Sequence, residues 1–369
     1  MKIRKLGKLF RPAWQSVIGI GYLLATVYQS AAADSEINLD EIRAAINKSL
    51  PLLESSADYS RRQRDCFTCH HVSFVSIAAH SAWQRGFKID ETNLVAQIKR
   101  THYELTSDVK RFLGGRFPHG KGDLLGHSMW LLQQVGWKPD QTTAETVNFL
   151  LSHDSEHGLW KPDAQRPPTV GSVFNTTFVV LKAIEDYGTE DQVFRIWKRK
   201  RIAVEQLLQT ASFDTEDMVY RLRVLHLIKD QQAELKTEAA KLLKAQREDG
   251  GWGQLEQMQS DPYATGTALA ALVDTSVLTF SSPEFARGLR FLLRTQQDDG
   301  SWHVKSRVRA MQPFYQSGFP HGQDQFISAS ASAWATYTLL KAFPPIKSRR
   351  MHAYLEAHPL VAARIIADD

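Results

Sequence analysis

A signature of eleven residues recurs along the chain and constrains its fold more than any other feature. Each copy begins with a Leu-Leu pair and ends with Gly-x-Trp, at residues 242–252, 292–302 and, in a reduced form, 150–160. The leucine pair is typical of the last turn of an amphipathic helix, and the glycine can take the left-handed conformation that ends one. The signature therefore predicts a helix end, after which the tryptophan folds back onto a helical hairpin.

Six apolar helices rich in small residues are predicted, and three of them directly follow a signature. They cover residues 72–87, 124–137, 170–187, 215–228, 263–277 and 327–343. Their starts recur about every 45 to 55 residues, with a longer interval before the last, as in stacked helical units. More charged helices, such as 91–112, 191–209 and 232–246, are predicted between them. Apolar helices inside and polar helices outside predict an all-α fold, a single α/α toroid of about six helical hairpins.

Two copies of the signature carry a more specific pattern. Residues 246–252 and 296–302 both read Gln-x-x-Asp-Gly-x-Trp, which resembles the QW repeat of squalene-hopene and oxidosqualene cyclases. The second copy is followed by Ser317-Gly318-Phe319-Pro320 and a small-residue helix, which is similar to the final repeat of those cyclases. The resemblance is clearest over residues 240–342. It implies the α/α toroid shared by terpenoid cyclases and protein prenyltransferase β-subunits, and it says little about chemistry.

The chain departs from the cyclases where their chemistry lies. Cyclases of this kind protonate an alkene with an aspartic acid in an Asp-x-Asp-Asp stretch, and no such stretch occurs here. The segment after Trp252 holds one acid, Asp261. The triterpene cyclases also have two toroidal domains, whereas this chain has one. We therefore expect that it is not a protonating cyclase.

The first 33 residues predict a signal peptide. A basic head (Lys2, Arg4, Lys5, Lys8 and Arg11) precedes an apolar stretch over 13–28 and small residues at 30–33. We expect cleavage there and a periplasmic or otherwise exported protein, with the toroid over 34–345 and a tail helix over 346–369. The alternative is an uncleaved anchor, which would be the protein's membrane contact.

The charge balance argues against a nucleic-acid partner. The formal net charge of +5 equals the five positive residues of the leader, so the rest of the chain is close to neutral. The basic run at Lys198-Arg199-Lys200-Arg201 is expected to be a solvated helix face.

The two cysteines of the chain belong to one motif, Cys66-Phe67-Thr68-Cys69-His70, which matches the C-x-x-C-H pattern of c-type haem attachment. Thiols three positions apart can bond both vinyl groups of one haem, and the imidazole that follows then faces the iron. We expect haem c on Cys66 and Cys69 with His70 as the proximal ligand. A zinc site that uses Cys66, Cys69, His119 and His321 remains open, and so does a disulfide between the thiols.

Further histidines fall in the loops that lead from an outer to an inner helix, all at one end of the predicted toroid. The string Phe-Pro-His-Gly occurs at both 117–120 and 319–322, so His119 and His321 are the candidate distal ligands of the iron. A role in forming turns is equally open. His153, His157 and His303 are expected to be solvent-exposed or capping residues, and Met129, Met258 and Met311 are alternative ligands, with Met129 expected in the core.

These features predict an exported haem protein that transfers electrons to a periplasmic redox partner and binds an apolar or isoprenoid-like small molecule in the toroid. The alternative is a non-catalytic scaffold with a structural zinc or disulfide at its rim. A saccharide-cleaving enzyme would need converging carboxylates. The sequence offers only scattered acids, Asp123, Asp217 and Asp261, and His127 is expected to be a hydrogen-bonded interior histidine.

Overall fold

The structure is a computed structural model that describes residues 37–63, 69–114, 121–152, 158–308 and 316–357. At residues 69, 70 and 121 it describes the backbone alone. The chain divides into two compact units, Met1–Asn38 and Leu39–Asp369. The predicted signal peptide at 1–33 lies outside the described residues, and the helices of the described residues all belong to the second unit.

The described residues contain helices and no β-strand. The thirteen α-helices are α1 Leu39–Gln63, α2 Phe74–Gln84, α3 Glu91–Leu113, α4 Lys121–Gln134, α5 Gln141–Ser152, α6 Val173–Tyr187, α7 Val193–Gln209, α8 Thr215–Ile228, α9 Gln232–Lys244, α10 Pro262–Asp274, α11 Pro283–Thr295, α12 Gln325–Leu340 and α13 Met351–Ala357. A π-helical turn, Cys69–Ser73, leads directly into α2. Helix α13 lies within the segment 346–369 for which a tail helix is predicted, and residues 358–369 lie outside the described part.

Helices α1 to α12 form six hairpins that close into a double ring. The even-numbered helices pack side by side, and α12 packs against α2 to close the inner ring. The odd-numbered helices lie outside them, and α11 contacts α1. The predicted single α/α toroid of six hairpins is confirmed.

Small residues allow the inner helices to approach closely. Helix α12 is almost wholly buried and alternates serine and alanine along its first half. A Cβ atom added to Gly266 of α10 would lie 3.0 Å from the backbone nitrogen of Ala335 in α12. Thr338 donates to the Gly266 carbonyl oxygen at 2.9 Å, so the two helices touch through their backbones.

The three signature tryptophans form equivalent joints between an outer and an inner helix. Trp160, Trp252 and Trp302 are fully buried. Their indole nitrogens donate to the carbonyl oxygens of Leu150, Leu242 and Leu292 at 3.1, 2.7 and 2.7 Å, ten residues earlier in each case. Their backbone nitrogens donate to Thr177, Thr265 and Ser332 of the next inner helix. Each tryptophan therefore ties the end of one helix to the beginning of the next, as predicted.

The glutamines of the repeat connect neighbouring hairpins. Gln246 donates to the carbonyl oxygens of Gly250 in its own turn and Glu284 in the next outer helix, at 2.9 and 2.8 Å. Gln296 does the same with Gly300 at 3.0 Å and Ala45 of α1 at 2.9 Å, which joins the last hairpin to the first. Both glycines have positive φ, and a Cβ atom there would collide with the adjacent outer helix.

At the reduced signature an arginine has the same role. Arg199 of α7 lies over the Trp160 ring, 3.5 Å from its centroid, and donates to the Gly158 carbonyl oxygen. Arg199 is therefore buried, and the prediction that the whole basic run 198–201 is a solvated helix face was wrong at this residue. The indole face offers the guanidinium a stacking partner that compensates for its desolvation.

None of the helices in the described ranges combines the length and apolarity needed to cross a bilayer.

Candidate functional site

The loops from outer to inner helices all lie at one end of the toroid, which we call the mouth end; the inner helices begin there. The π turn Cys69–Ser73 is one of these loops. Cys66 lies outside the described residues, as do the side chains of Cys69 and His70. The next residue, His71, is fully buried, and its ring meets that of Phe326 edge-on at 5.1 Å. The π turn thus lies against the first turn of α12.

His321 immediately precedes that same turn of α12. Its backbone is left-handed, with φ of 80°, and its Nε2 lies 2.7 Å from the Ser301 hydroxyl oxygen. Its ring stacks on His303 at 4.5 Å, and His303 in turn pairs with Asp324 at 2.8 Å. Burial and the neighbouring His303 lower the pKa of His321, so its imidazole is neutral at pH 7. Neutral imidazole is the form that ligates a metal.

The π turn and His321 thus lie at the same end of the toroid, where the π turn contacts Phe326 of α12 and His321 precedes α12 by four residues. The other candidate distal ligand, His119, lies outside the described residues, as do His153, His157 and Met311. Met129 is buried in the core and Met258 is half-buried. Within the described ranges, no group of three or more His, Cys, Asp or Glu side chains is arranged to hold a metal ion. The candidate zinc ligands Cys66, Cys69 and His119 fall outside that description.

Aromatic side chains from five inner helices pack together inside the inner ring. Trp130 packs against Phe74, Phe178 and Trp334 with ring centroids 5.4 to 6.5 Å apart, and Tyr220 extends the cluster from Phe178. His127 is buried next to Phe74, as expected of an interior histidine. We call these five aromatic residues, Phe74, Trp130, Phe178, Tyr220 and Trp334, the axial cluster. It gives the centre of the protein an apolar and polarisable surface.

Beyond the axial cluster, at the end opposite the mouth, charged groups are paired. Asp274 accepts from Arg223 at 3.0 Å and from Lys341 at 2.6 Å, and Tyr337 lies between Asp274 and Lys341. Burial favours the neutral acid, but the charges of Lys341 and Arg223 overcome it and hold the pKa of Asp274 below its usual value. In this network the acid is paired with two basic groups, so it is not left without a counter-ion.

The mouth end holds a buried acid whose hydrogen-bond donors are neutral. Glu216, in the first turn of α8, is fully buried and accepts from Tyr263 at 3.0 Å and Asn175 at 3.1 Å through one oxygen, while its second oxygen has no partner among the described residues. Burial and the nearby Asp214 raise the pKa of Glu216 well above its usual value, which favours the neutral form of the acid. Sequence reasoning missed Glu216, because an acid in the first turn of a helix ordinarily serves the helix dipole.

The three acids that the sequence singled out have structural partners. Asp261 caps the beginning of α10 by accepting from the backbone of Tyr263 and Ala264. Asp217 accepts from Ser172, and Asp123 from Thr176. Burial raises the pKa of both Asp123 and Asp261 to about 6.

Part of the chain matches a known family by sequence. Residues 213–327 match the squalene-hopene cyclase C-terminal domain. Among curated proteins, no sequence relative matches the chain. The matched segment begins before α8 and ends in α12, so it contains both complete copies of the glutamine-containing repeat.

Solved structures share the fold over most of the chain. The type II terpene cyclase MstE from Scytonema has 14% identity and a TM-score of 0.54, over 83% of this chain and 99% of that one. The unsaturated glucuronyl hydrolase from Streptococcus agalactiae has 13% identity and a TM-score of 0.55, over 85% and 94%. A protein from Actinoplanes has 15% identity and a TM-score of 0.52, over 82% and 99%.

At such identities the likeness is one of fold. A terpene cyclase and a glucuronyl hydrolase both have it, so the fold by itself leaves the chemistry open. Taken with the tryptophan joints and the closed double ring, the comparisons show that the chain has a squalene-cyclase-like α/α-toroid fold.

Proposed function

We propose that the chain is an exported squalene-cyclase-like toroid that carries a c-type haem at its mouth end and transfers electrons. The observation that carries the proposal is the position of the motif. Its second half, from Cys69, forms the π-helical turn that begins the first inner helix, at the end where all such loops gather. A haem held there would lie near the rim, where a redox partner can approach it.

The donor set fits haem c. Cys66 and Cys69 would hold the porphyrin through thioether bonds, and His70 would ligate the iron. Bound haem supplies one-electron transfer, and a second protein ligand to the iron favours that role over reactions at an open site. His71, buried against Phe326, anchors the π turn that begins at Cys69. The zinc-scaffold alternative would use Cys66, Cys69, His119 and His321.

An apolar or isoprenoid-like molecule is the proposed small-molecule partner. The axial cluster supports this part of the proposal, since stacked aromatic rings offer such a molecule extensive apolar contact. Glu216 adds one neutral, hydrogen-bonding carboxyl group at the mouth end.

The test is expression in a host that matures c-type haem in the periplasm, followed by a visible spectrum and a haem stain of the denatured protein. We expect a Soret band and haem that survives denaturation. Replacing Cys66 and Cys69 together by Ala should remove it, whereas His70→Ala should leave it attached with changed iron ligation. Stoichiometric zinc without a Soret band would establish the scaffold alternative. If the protein binds neither haem nor zinc, only the fold assignment remains.

The distal ligand can be identified in the same preparation. His119→Ala or His321→Ala should shift the Soret band only if that residue ligates the iron. His303→Ala is the matched control for His321, because the two rings stack and share the same loop environment. A shift caused by His303→Ala as well would mean that the loop is perturbed and that a ligand has not been identified.

A further inference from the structure

Helix α7 packs against the protein with one face and exposes apolar residues on another. Its buried stripe consists of Arg199, Ala203 and Leu207. On the opposite side Val193, Phe194 and Trp197 are 61, 71 and 54% exposed. A helix that serves only as an outer wall needs the first stripe and has polar residues on the second.

The exposed apolar residues lie along one side of the helix. At 3.6 residues per turn, Val193, Trp197 and Leu208 lie within about 60° of each other around the helix, and Phe194 flanks them. The stripe runs from Val193 to Leu208, a length of about 22 Å at 1.5 Å per residue. The rings of Phe194 and Trp197 stack with centroids 6.0 Å apart. Phe213, which follows the helix, is 88% exposed.

The same helix is strongly basic. It carries five basic residues, Arg195, Lys198, Arg199, Lys200 and Arg201, against one acid, Glu205. Arg199 is buried on Trp160, and Lys200 pairs with Glu185 of α6. Arg201 lies over the outward Trp197 ring at 5.3 Å and pairs with Glu205 at 3.4 Å, and Lys198 is exposed beside them without an acidic partner on the helix. Cations therefore alternate with aromatic rings along the outward stripe.

We propose that the outward face of α7 docks on an anionic lipid bilayer. Aromatic and aliphatic side chains on a basic helix suit the boundary between headgroups and acyl chains, where rings enter the boundary and cations remain with the phosphates. The excess positive charge selects an anionic surface. This inference is independent of the haem proposal, because it uses none of the haem motif residues and none of the candidate iron ligands.

The test measures binding of the full chain to vesicles of phosphatidylglycerol and of phosphatidylcholine by sedimentation. The wild-type protein should bind the anionic vesicles at least about tenfold more tightly. Replacing Phe194 and Trp197 together by Ser should weaken that binding about tenfold or more, since two large aromatic side chains leave the lipid. Lys198→Gln should weaken it about fivefold at low salt, and less at high salt.

Tyr103 supplies the matched control. It is 53% exposed on the outer helix α3, and Arg100 lies 5.8 Å from its ring centroid. Helix α3 lacks the basic excess, with four lysines and arginines against three acids. Tyr103→Ser should therefore leave vesicle binding unchanged. Equal loss in Tyr103→Ser and in the α7 double variant would overturn the proposal.

A second readout isolates α7 from the residues at 1–36. Vesicles with brominated acyl chains quench a tryptophan that enters the bilayer boundary. The quenching lost on Trp197→Phe therefore reports Trp197 alone. We expect a clear loss. No difference between wild type and Trp197→Phe would overturn the proposal, as would a lipid-independent dimer in sedimentation equilibrium that the double variant abolishes, since that would show the face to bind a second copy.

Discussion

The buried acids at the two ends of the inner ring have different partners, which are charged at one end and neutral at the other. Opposite the mouth, Asp274 remains charged between Arg223 and Lys341. At the mouth end, Glu216 has only neutral donors, Tyr263 and Asn175, and its pKa is raised, which favours the protonated form. A fully paired network stabilises the fold. A buried acid with one unused oxygen can still form a further hydrogen bond. One end of the inner ring therefore holds its buried acid by charge pairing, and the other holds its buried acid by neutral hydrogen bonds.

The tryptophan joints stabilise the mouth end, and truncating one of them should have the largest effect on the free energy of unfolding. Trp302→Ala should lower the free energy of unfolding by roughly 3–5 kcal/mol, because a fully buried indole and its bond to Leu292 are lost. Urea unfolding followed by circular dichroism measures this. Trp197→Ala is the control, and with its exposed ring it should cost less than about 1 kcal/mol. Similar losses for the two variants would contradict the assigned burial.

Removal of the acid opposite the mouth should be the next largest change. Asp274→Ala leaves Arg223, whose side chain is only 6% exposed, without its counter-ion and should cost roughly 3 kcal/mol in the free energy of unfolding. The matched control is Asp58→Ala. That acid also pairs with two arginines, but one of them, Arg62, is 67% exposed, and we expect a loss below about 1 kcal/mol. A small loss for Asp274→Ala would mean that the network is not needed.

The contributions of the two buried acids to the free energy of unfolding should change with pH in opposite directions. The folded-state pKa of Glu216 is raised, so its contribution is fully present below the unfolded pKa and is lost as pH rises from there through the folded pKa. Glu216→Gln should therefore gain stability relative to wild type as the pH rises above about 4, the ordinary pKa of a glutamate. For Asp274 the pKa is lowered, and the wild type should lose stability relative to Asp274→Asn as pH falls below about 4.

The smallest effect is expected at the helix cap of the mouth end. Asp261 is mostly neutral at pH 5, because burial raises its pKa to about 6. Asn caps a helix about as well as Asp, so Asp261→Asn should change the free energy of unfolding at pH 5 by less than about 0.5 kcal/mol. Asp261→Ala should cost roughly 1 kcal/mol through loss of the cap. If Asn is as costly as Ala, the carboxylate itself is required.

The fold could be predicted in detail because its determinants are local. The predicted inner helix 215–228 coincides with α8, and the other five match their observed helices to within about three residues at most ends. The predicted 263–277 helix ends at Asp274, since Ser276 has a positive φ of 60° that a helix cannot contain. The candidate site was less predictable. Glu216 and Tyr263 are 47 residues apart, and nothing in either segment reports that they meet.

The sequence by itself determined the hairpins, their number and the joints, because a helical period, a left-handed glycine and a buried tryptophan are set by residues close together in the chain. It also determined the order of thiols and imidazole in Cys66–His70. The tertiary structure alone decided which charges are paired. Asp274 is a charged acid paired with two cations, Glu216 is a buried acid whose pKa is raised, and Arg199 is a buried partner of Trp160. An ionisable group responds to the burial and charges around it, and in a closed ring those come from neighbouring hairpins.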